Sequence, residues 1–128
     1  MAVLRAGHVY LLDDDRSVRN GFSRLLRAAG YQVESYHSSD DLLDQVDHTS
    51  VGCLVMDLRM PGKTAEAIRS ELDKRGAQLS IIIVTGDDSE ETRIIAQKAG
   101  AAGFFRKPVD GSALLDAIKW NLNAGPPS

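Results

Sequence analysis

Ile81-Ile82-Ile83-Val84, followed at once by Thr85-Gly86, is apolar at four successive positions. A strand with one face in water alternates between apolar and polar residues, whereas a strand apolar at every position is buried on both faces, as in a parallel sheet covered by helices on each side. Working outward from that run, short apolar or alternating stretches at 8–12, 32–36, 52–56, 79–84 and 103–105 read as five strands. Between them, 17–29, 39–47, 64–75 and 89–99 are long enough for two or three helical turns, and 112–122 comes last. The order is strand then helix, five times over. The predicted fold is α/β, a doubly wound five-stranded parallel sheet with helices on both faces.

The first helix supports this reading. Val18, Phe22, Leu25, Leu26 and Ala29 fall on one face at three- and four-residue spacing, Arg16, Arg19, Arg24 and Arg27 share roughly the opposite side, and Gly30 supplies a stop. A chain of 128 residues with 43% apolar content fits one domain, expected over 1–123, and Ala124-Gly125-Pro126-Pro127-Ser128 reads as the start of a linker or a disordered tail. A net charge of -3, without a block of Lys or Arg, gives no field to draw in nucleic acid, so direct nucleic-acid binding by this segment is not expected. The single cysteine, Cys53, lies in an apolar run and reads as a buried neutral thiol. Neither a signal-peptide core nor a run long enough to span a membrane is visible, and the expected location is cytoplasmic.

In such a sheet ligands bind outside the carboxyl ends of the strands, where the chain order reverses. The first strand runs into Asp13-Asp14-Asp15, the third ends at Asp57, the fourth at Thr85-Gly86 and the fifth at Lys107-Pro108. Singly, each has an ordinary reading: an aspartate after a strand caps the next helix, Thr-Gly makes a turn, and Lys-Pro stops a strand. Capping accounts for one of the three consecutive aspartates, and Asp15 is the expected cap. Asp57 has no helix to cap before Thr64.

Jointly the set is what a metal-assisted phosphoryl transfer to aspartate requires. Asp57 would be the nucleophile. Magnesium, or manganese, takes octahedral oxygen ligands and keeps several waters, so Asp14, Asp57 and the backbone carbonyl of Arg59 would suffice, with Asp13 acting through water. Lys107 and Thr85 would hold phosphate oxygens, and the ammonium offsets crowded negative charge in the resting site.

Val9-Tyr10-Leu11-Leu12-Asp13-Asp14-Asp15, Leu54-Val55-Met56-Asp57-Leu58-Arg59-Met60-Pro61-Gly62, Ile83-Val84-Thr85-Gly86 and Phe104-Phe105-Arg106-Lys107-Pro108 together resemble the receiver domain of two-component response regulators, most like the FixJ-type branch. The likeness spans about 8–122. It implies the flavodoxin-like (βα)5 receiver fold, and a signalling phosphoacceptor rather than an enzyme acting on a separate substrate. Asp57 would take phosphate from a sensor histidine kinase or phosphotransfer domain, with Asp13 and Asp14 as the acidic metal pair. It further implies a switch in which Thr85 moves toward the phosphoryl group and Phe104 turns inward, although Phe104 also reads as plain core. Arg59 and Asp87 occupy positions the family uses to tune phosphate lifetime. The output would be transcription; a stand-alone single-domain regulator is the alternative. A phosphorylation-dependent homodimer would use the fourth helix, fifth strand and fifth helix, with Ile94 or Ile95 exposed there.

Two readings from other classes compete. A flavin module would need a Gly/Ser/Thr-rich phosphate loop where three aspartates stand. A magnesium-dependent phosphohydrolase would need a general acid and a cap region, and neither is evident. The sequence also departs from the family: Lys63, Thr64 and Ala65 follow Pro61-Gly62, where an apolar residue, a small polar one and a glycine are usual. A positive φ at 65 would cost alanine about 1 kcal/mol, so a rearranged or mobile loop is expected if one is needed. Lys63 is expected to be solvated, Trp120 to pack in the core, and the arginine face of the first helix to be solvated or to steer an acidic partner. His8, His37 and His48 have no spacing or carboxylate companion that suggests a metal site.

Overall fold

The computed structural model describes residues 7–124. Five strands, β1 (His8–Leu12), β2 (Gln32–Tyr36), β3 (Val51–Asp57), β4 (Gln78–Thr85) and β5 (Gly103–Arg106), alternate with five helices, α1 (Arg16–Ala28), α2 (Ser39–Gln45), α3 (Ala65–Lys74), α4 (Glu90–Lys98) and α5 (Gly111–Ala124). All strand pairs are parallel, in the order β2-β1-β3-β4-β5. The predicted doubly wound sheet is therefore what the chain forms. Ala124, the expected start of the tail, is instead the last residue of α5, and residues 125–128 lie outside the described residues, as do 1–6.

The apolar run in β4 explains itself in three dimensions. Ile81 and Ile83 pack with Leu12, Leu54, Met56, Ile68 and Leu72 on the face covered by α2, α3 and α4. Ile82 and Val84 pack with Val9, Leu11, Val55, Leu26, Leu114 and Ile118 under α1 and α5. Each fully buried aliphatic chain contributes about 1.5–3 kcal/mol. Cys53 shares this second core, where burial pushes its thiol up to about 12.

Helix starts follow the side chains that can cap them. Asp15 accepts the amides of Ser17 and Val18, and Ser38, Thr64 and Ser89 cap α2, α3 and α4. Ala65 is thus the first residue of α3, and the left-handed residue of the preceding loop is Gly62 (φ +100°). The Lys63-Thr64-Ala65 departure costs no backbone strain, because the positive φ sits three residues earlier than feared, and Lys63 is exposed as expected.

Two expectations fail. Trp120 is 75% exposed rather than core, because the buried face of α5 is set by Leu114 and Ile118, and Trp120 lies two residues, about 200°, beyond Ile118. Ala29 is exposed at the end of α1. His8 pairs with Glu34 at 2.5 Å and His37 with Asp41 at 3.3 Å, single pairings that do not overturn the histidine reading, since neither residue joins a metal-type cluster among the described residues. On α4 the inward residues are Thr92 and Ala96, so Ile94 and Ile95 are both exposed.

Gly52 holds β3 against β1. Its φ is +152°, and a Cβ there would lie 2.1 Å from the His8 carbonyl oxygen, which is backbone and cannot swing away. Gly52→Ala is expected to cost about 3 kcal/mol, lowering Tm by about 10 °C in a thermal melt.

Candidate functional site

Chain order reverses between β1 and β3, and the residues following these strands meet there. The Asp13 amide donates to the Tyr36 carbonyl (3.2 Å), the Leu58 amide to Val84 (3.2 Å) and the Lys107 amide to Thr85 (2.7 Å), so the ladder is carried just past the last strand residues. These bonds fix Asp13, Asp57, Thr85 and Lys107 along one edge of the sheet.

Asp13, Asp57 and Thr85 are buried, while Asp14 is exposed. One carboxylate oxygen from each of Asp13, Asp14 and Asp57 lies within 4.8 Å of the others. Lys107 Nζ reaches Asp13 Oδ2 at 3.1 Å and Asp57 Oδ2 at 3.3 Å. Hard oxygen donors at this spacing suit a small divalent cation, and nothing soft or nitrogenous competes among them. Burial pushes the Asp13 carboxyl up; the Asp15 amide and Lys107 only partly offset this, and Asp57 adds repulsion. Burial opposes charge on Lys107 too, but the bonds and charges of Asp13 and Asp57 win and raise it. A metal-free site thus relies on its lysine to neutralise two crowded acids.

The loops around the acids are tied down. The Arg59 amide donates to Asp57 Oδ1 at 3.0 Å, and the Arg59 guanidinium pairs with the Asp87 carboxylate. That pairing holds the Asp87 carboxyl below the usual range. The Asp87 amide in turn donates to the Thr85 hydroxyl at 3.1 Å, leaving that hydroxyl its own proton to donate. Phe104 is half-buried on β5 against the first core cluster, and Arg93 Cζ sits 5.0 Å above its ring.

Sequence reasoning missed two arginines. Arg19 lies on the helix face expected to be solvated or to steer an acidic partner, yet its Nη1 donates to the Asp13 carbonyl at 2.7 Å, bracing the turn that carries the acids. The signal was there in its position one turn into the helix capped by Asp15. Arg93 carried no local signal, because its contact with Phe104 exists only once α4 packs beside β5.

The family model of the response regulator receiver domain matches residues 9–119. The chain belongs to this family. The receiver is 37% identical over 122 residues to the response regulator protein TodT of Pseudomonas putida, covering 95% of this chain and 54% of TodT. It is 36% identical over 114 residues to the transcriptional regulatory protein FixJ of Azorhizobium caulinodans, covering 89% of this chain and 54% of FixJ. The receiver thus spans about half the length of these relatives. Among solved structures, response regulator StyR matches at 37% identity with a TM-score of 0.81, over 94% of this chain and 62% of StyR. The crystal structure of FixJ-N matches at 28% identity with the same TM-score, over 91% of this chain and 93% of that one. No helix among the described residues is long and apolar enough to cross a membrane.

Proposed function

We propose that this receiver is a phosphoacceptor that takes a phosphoryl group onto Asp57 and controls a transcriptional output. The observation that carries the reading is the buried Asp57 carboxylate, placed beside Asp13, Asp14 and Lys107 by strands that end together.

In the proposed step an Asp57 carboxylate oxygen attacks the phosphorus of a phosphohistidine on a sensor kinase or phosphotransfer domain. The new P–O bond forms as the P–N bond breaks, and the imidazole leaves with the bond's electrons and takes up a proton. A bound magnesium or manganese ion would neutralise charge on the transferring oxygens. Asp14, Asp57 and the Arg59 carbonyl would hold it, with Asp13 acting through water. Lys107, now released from one carboxylate, binds a phosphoryl oxygen, and Thr85 donates its hydroxyl proton to another. Phe104 then follows Thr85 inward and changes the surface beside α4, where a phosphorylation-dependent homodimer through α4, β5 and α5 would form; Ile94 and Ile95 are exposed there. Arg59 and Asp87 would set how quickly the acyl phosphate decays.

The domain is proposed to run to the end of α5, with the chain beyond it leading toward an output module. Relatives about twice as long that are named transcriptional regulatory proteins support such an output and a cytoplasmic location. The test against a phosphohydrolase is incubation with acetyl phosphate and magnesium. A receiver is expected to incorporate label once per chain, stable to acid and labile to base. Multiple turnover on organic phosphates would replace this reading with the hydrolase.

A further inference from the structure

Asp87 and Asp88 stand side by side between β4 and α4, and each carboxylate grips an arginine. Asp87 Oδ2 takes the Arg59 guanidinium and the Thr92 hydroxyl (3.2 Å), while Asp87 Oδ1 accepts the Ser89 amide (3.0 Å). Asp88 Oδ1 takes Arg93 through both Nε (2.7 Å) and Nη2 (2.6 Å), and that same guanidinium lies over the Phe104 ring. The first arm ends one residue beyond Leu58, next to Asp57; the second ends on the aromatic of β5. Between them the Asp87 backbone amide holds the Thr85 hydroxyl.

We propose that the Asp87-Asp88 pair is a clasp that holds the unphosphorylated state, and that phosphorylation opens it by offering Arg59 a competing anion. The inference rests on Asp57 being the phosphoacceptor. A phosphoryl group on Asp57 brings about two negative charges beside the residue whose amide already donates to Asp57, whereas Asp87 offers one charge that is partly exposed. Arg59 leaves Asp87 for the phosphoryl oxygens. Asp87 then keeps only its Ser89 and Thr92 bonds, its amide no longer pins Thr85, and the threonine hydroxyl is free to move to the phosphoryl group. Asp88 shifts with its neighbour and draws Arg93 from Phe104, which frees the ring. Asp87 is thus a positioning residue, acting on the phosphorylated group through Arg59 and Thr85. A covalent event at β3 would reach β5 through two ion pairs and one loop.

The test uses beryllium fluoride with magnesium as the phosphoryl mimic, on the wild type, Asp87→Asn, Arg59→Gln and the double variant. Asparagine can still accept the Ser89 amide on its oxygen, and its NH2 can donate to the Thr92 hydroxyl oxygen, so the change removes the charge and the acceptor that hold Arg59. Asp87→Asn is expected to bind the mimic about two- to fivefold more tightly, the range an exposed ion pair supplies. In the Arg59→Gln background the same change is expected to have no effect, because the clasp is already open. Without the mimic, Thr85 amide and Phe104 ring resonances of Asp87→Asn should move part-way toward their mimic-bound positions, a readout that a merely structural role would not shift. If the wild type binds the mimic and Asp87→Asn has the same affinity and resting resonances, the clasp is overturned while the phosphoacceptor reading stands. If the wild type does not bind it at all, both are overturned.

Discussion

Asp57→Ala is expected to lower phosphoryl uptake from acetyl phosphate at least about a hundredfold while leaving the fold intact. No neighbouring group can take over. Asp13 is buried, paired to Lys107 and committed to the Asp15 amide, and Asp14, which is exposed, would be taken up in holding the metal. Nothing in the core depends on the Asp57 side chain, which is held by one backbone amide and one arm of Lys107. Removing it relieves a repulsion with Asp13, so the variant should melt at or above the wild-type temperature without metal. Retained stability separates loss of a nucleophile from loss of structure, and a thermal melt beside the phosphorylation assay checks it.

Asp13→Asn is expected to weaken magnesium binding by about tenfold or more, measured by calorimetry or by a metal-induced shift in Tm. Asparagine is nearly isosteric and still accepts the Asp15 amide through its oxygen, so what it removes is the charge and the acceptor that faces Lys107. The same change carries a pH signature. The folded carboxyl of Asp13 is raised, first by burial, so the folded chain binds that proton more readily than the unfolded chain does. Asp13 therefore costs stability above its folded value, and the cost fades as pH falls toward the unfolded value of about 3.9. The metal-free wild type should gain stability relative to Asp13→Asn as pH falls through that window. With magnesium bound the order at neutral pH should reverse, because the cation favours the charged form.

These effects explain which features the sequence made legible. Strand runs such as 8–12 and 32–36 show in the residue pattern because burial on both faces or one face writes itself locally, and β1 and β2 occupy those bounds. Acids at strand ends were readable because doubly wound sheets collect such ends at one edge, which is where Asp13, Asp57 and Lys107 meet. Trp120 was not readable: a large apolar side chain gives no hint of its angle on a helix whose inward face is already filled by Leu114 and Ile118. Nor were the ion pairs Arg59 to Asp87 and Arg93 to Asp88 with Phe104. The first joins residues 28 apart in the chain, and both depend on how the β4 to α4 loop folds back.

The most direct measurement is the intact mass of the wild type after incubation with acetyl phosphate, with magnesium or with a chelator. One added phosphoryl group per chain is expected, present only with the metal, removed by base and absent from Asp57→Ala. Uptake that ignores the chelator, or that persists in Asp57→Ala, would contradict metal-assisted transfer to Asp57.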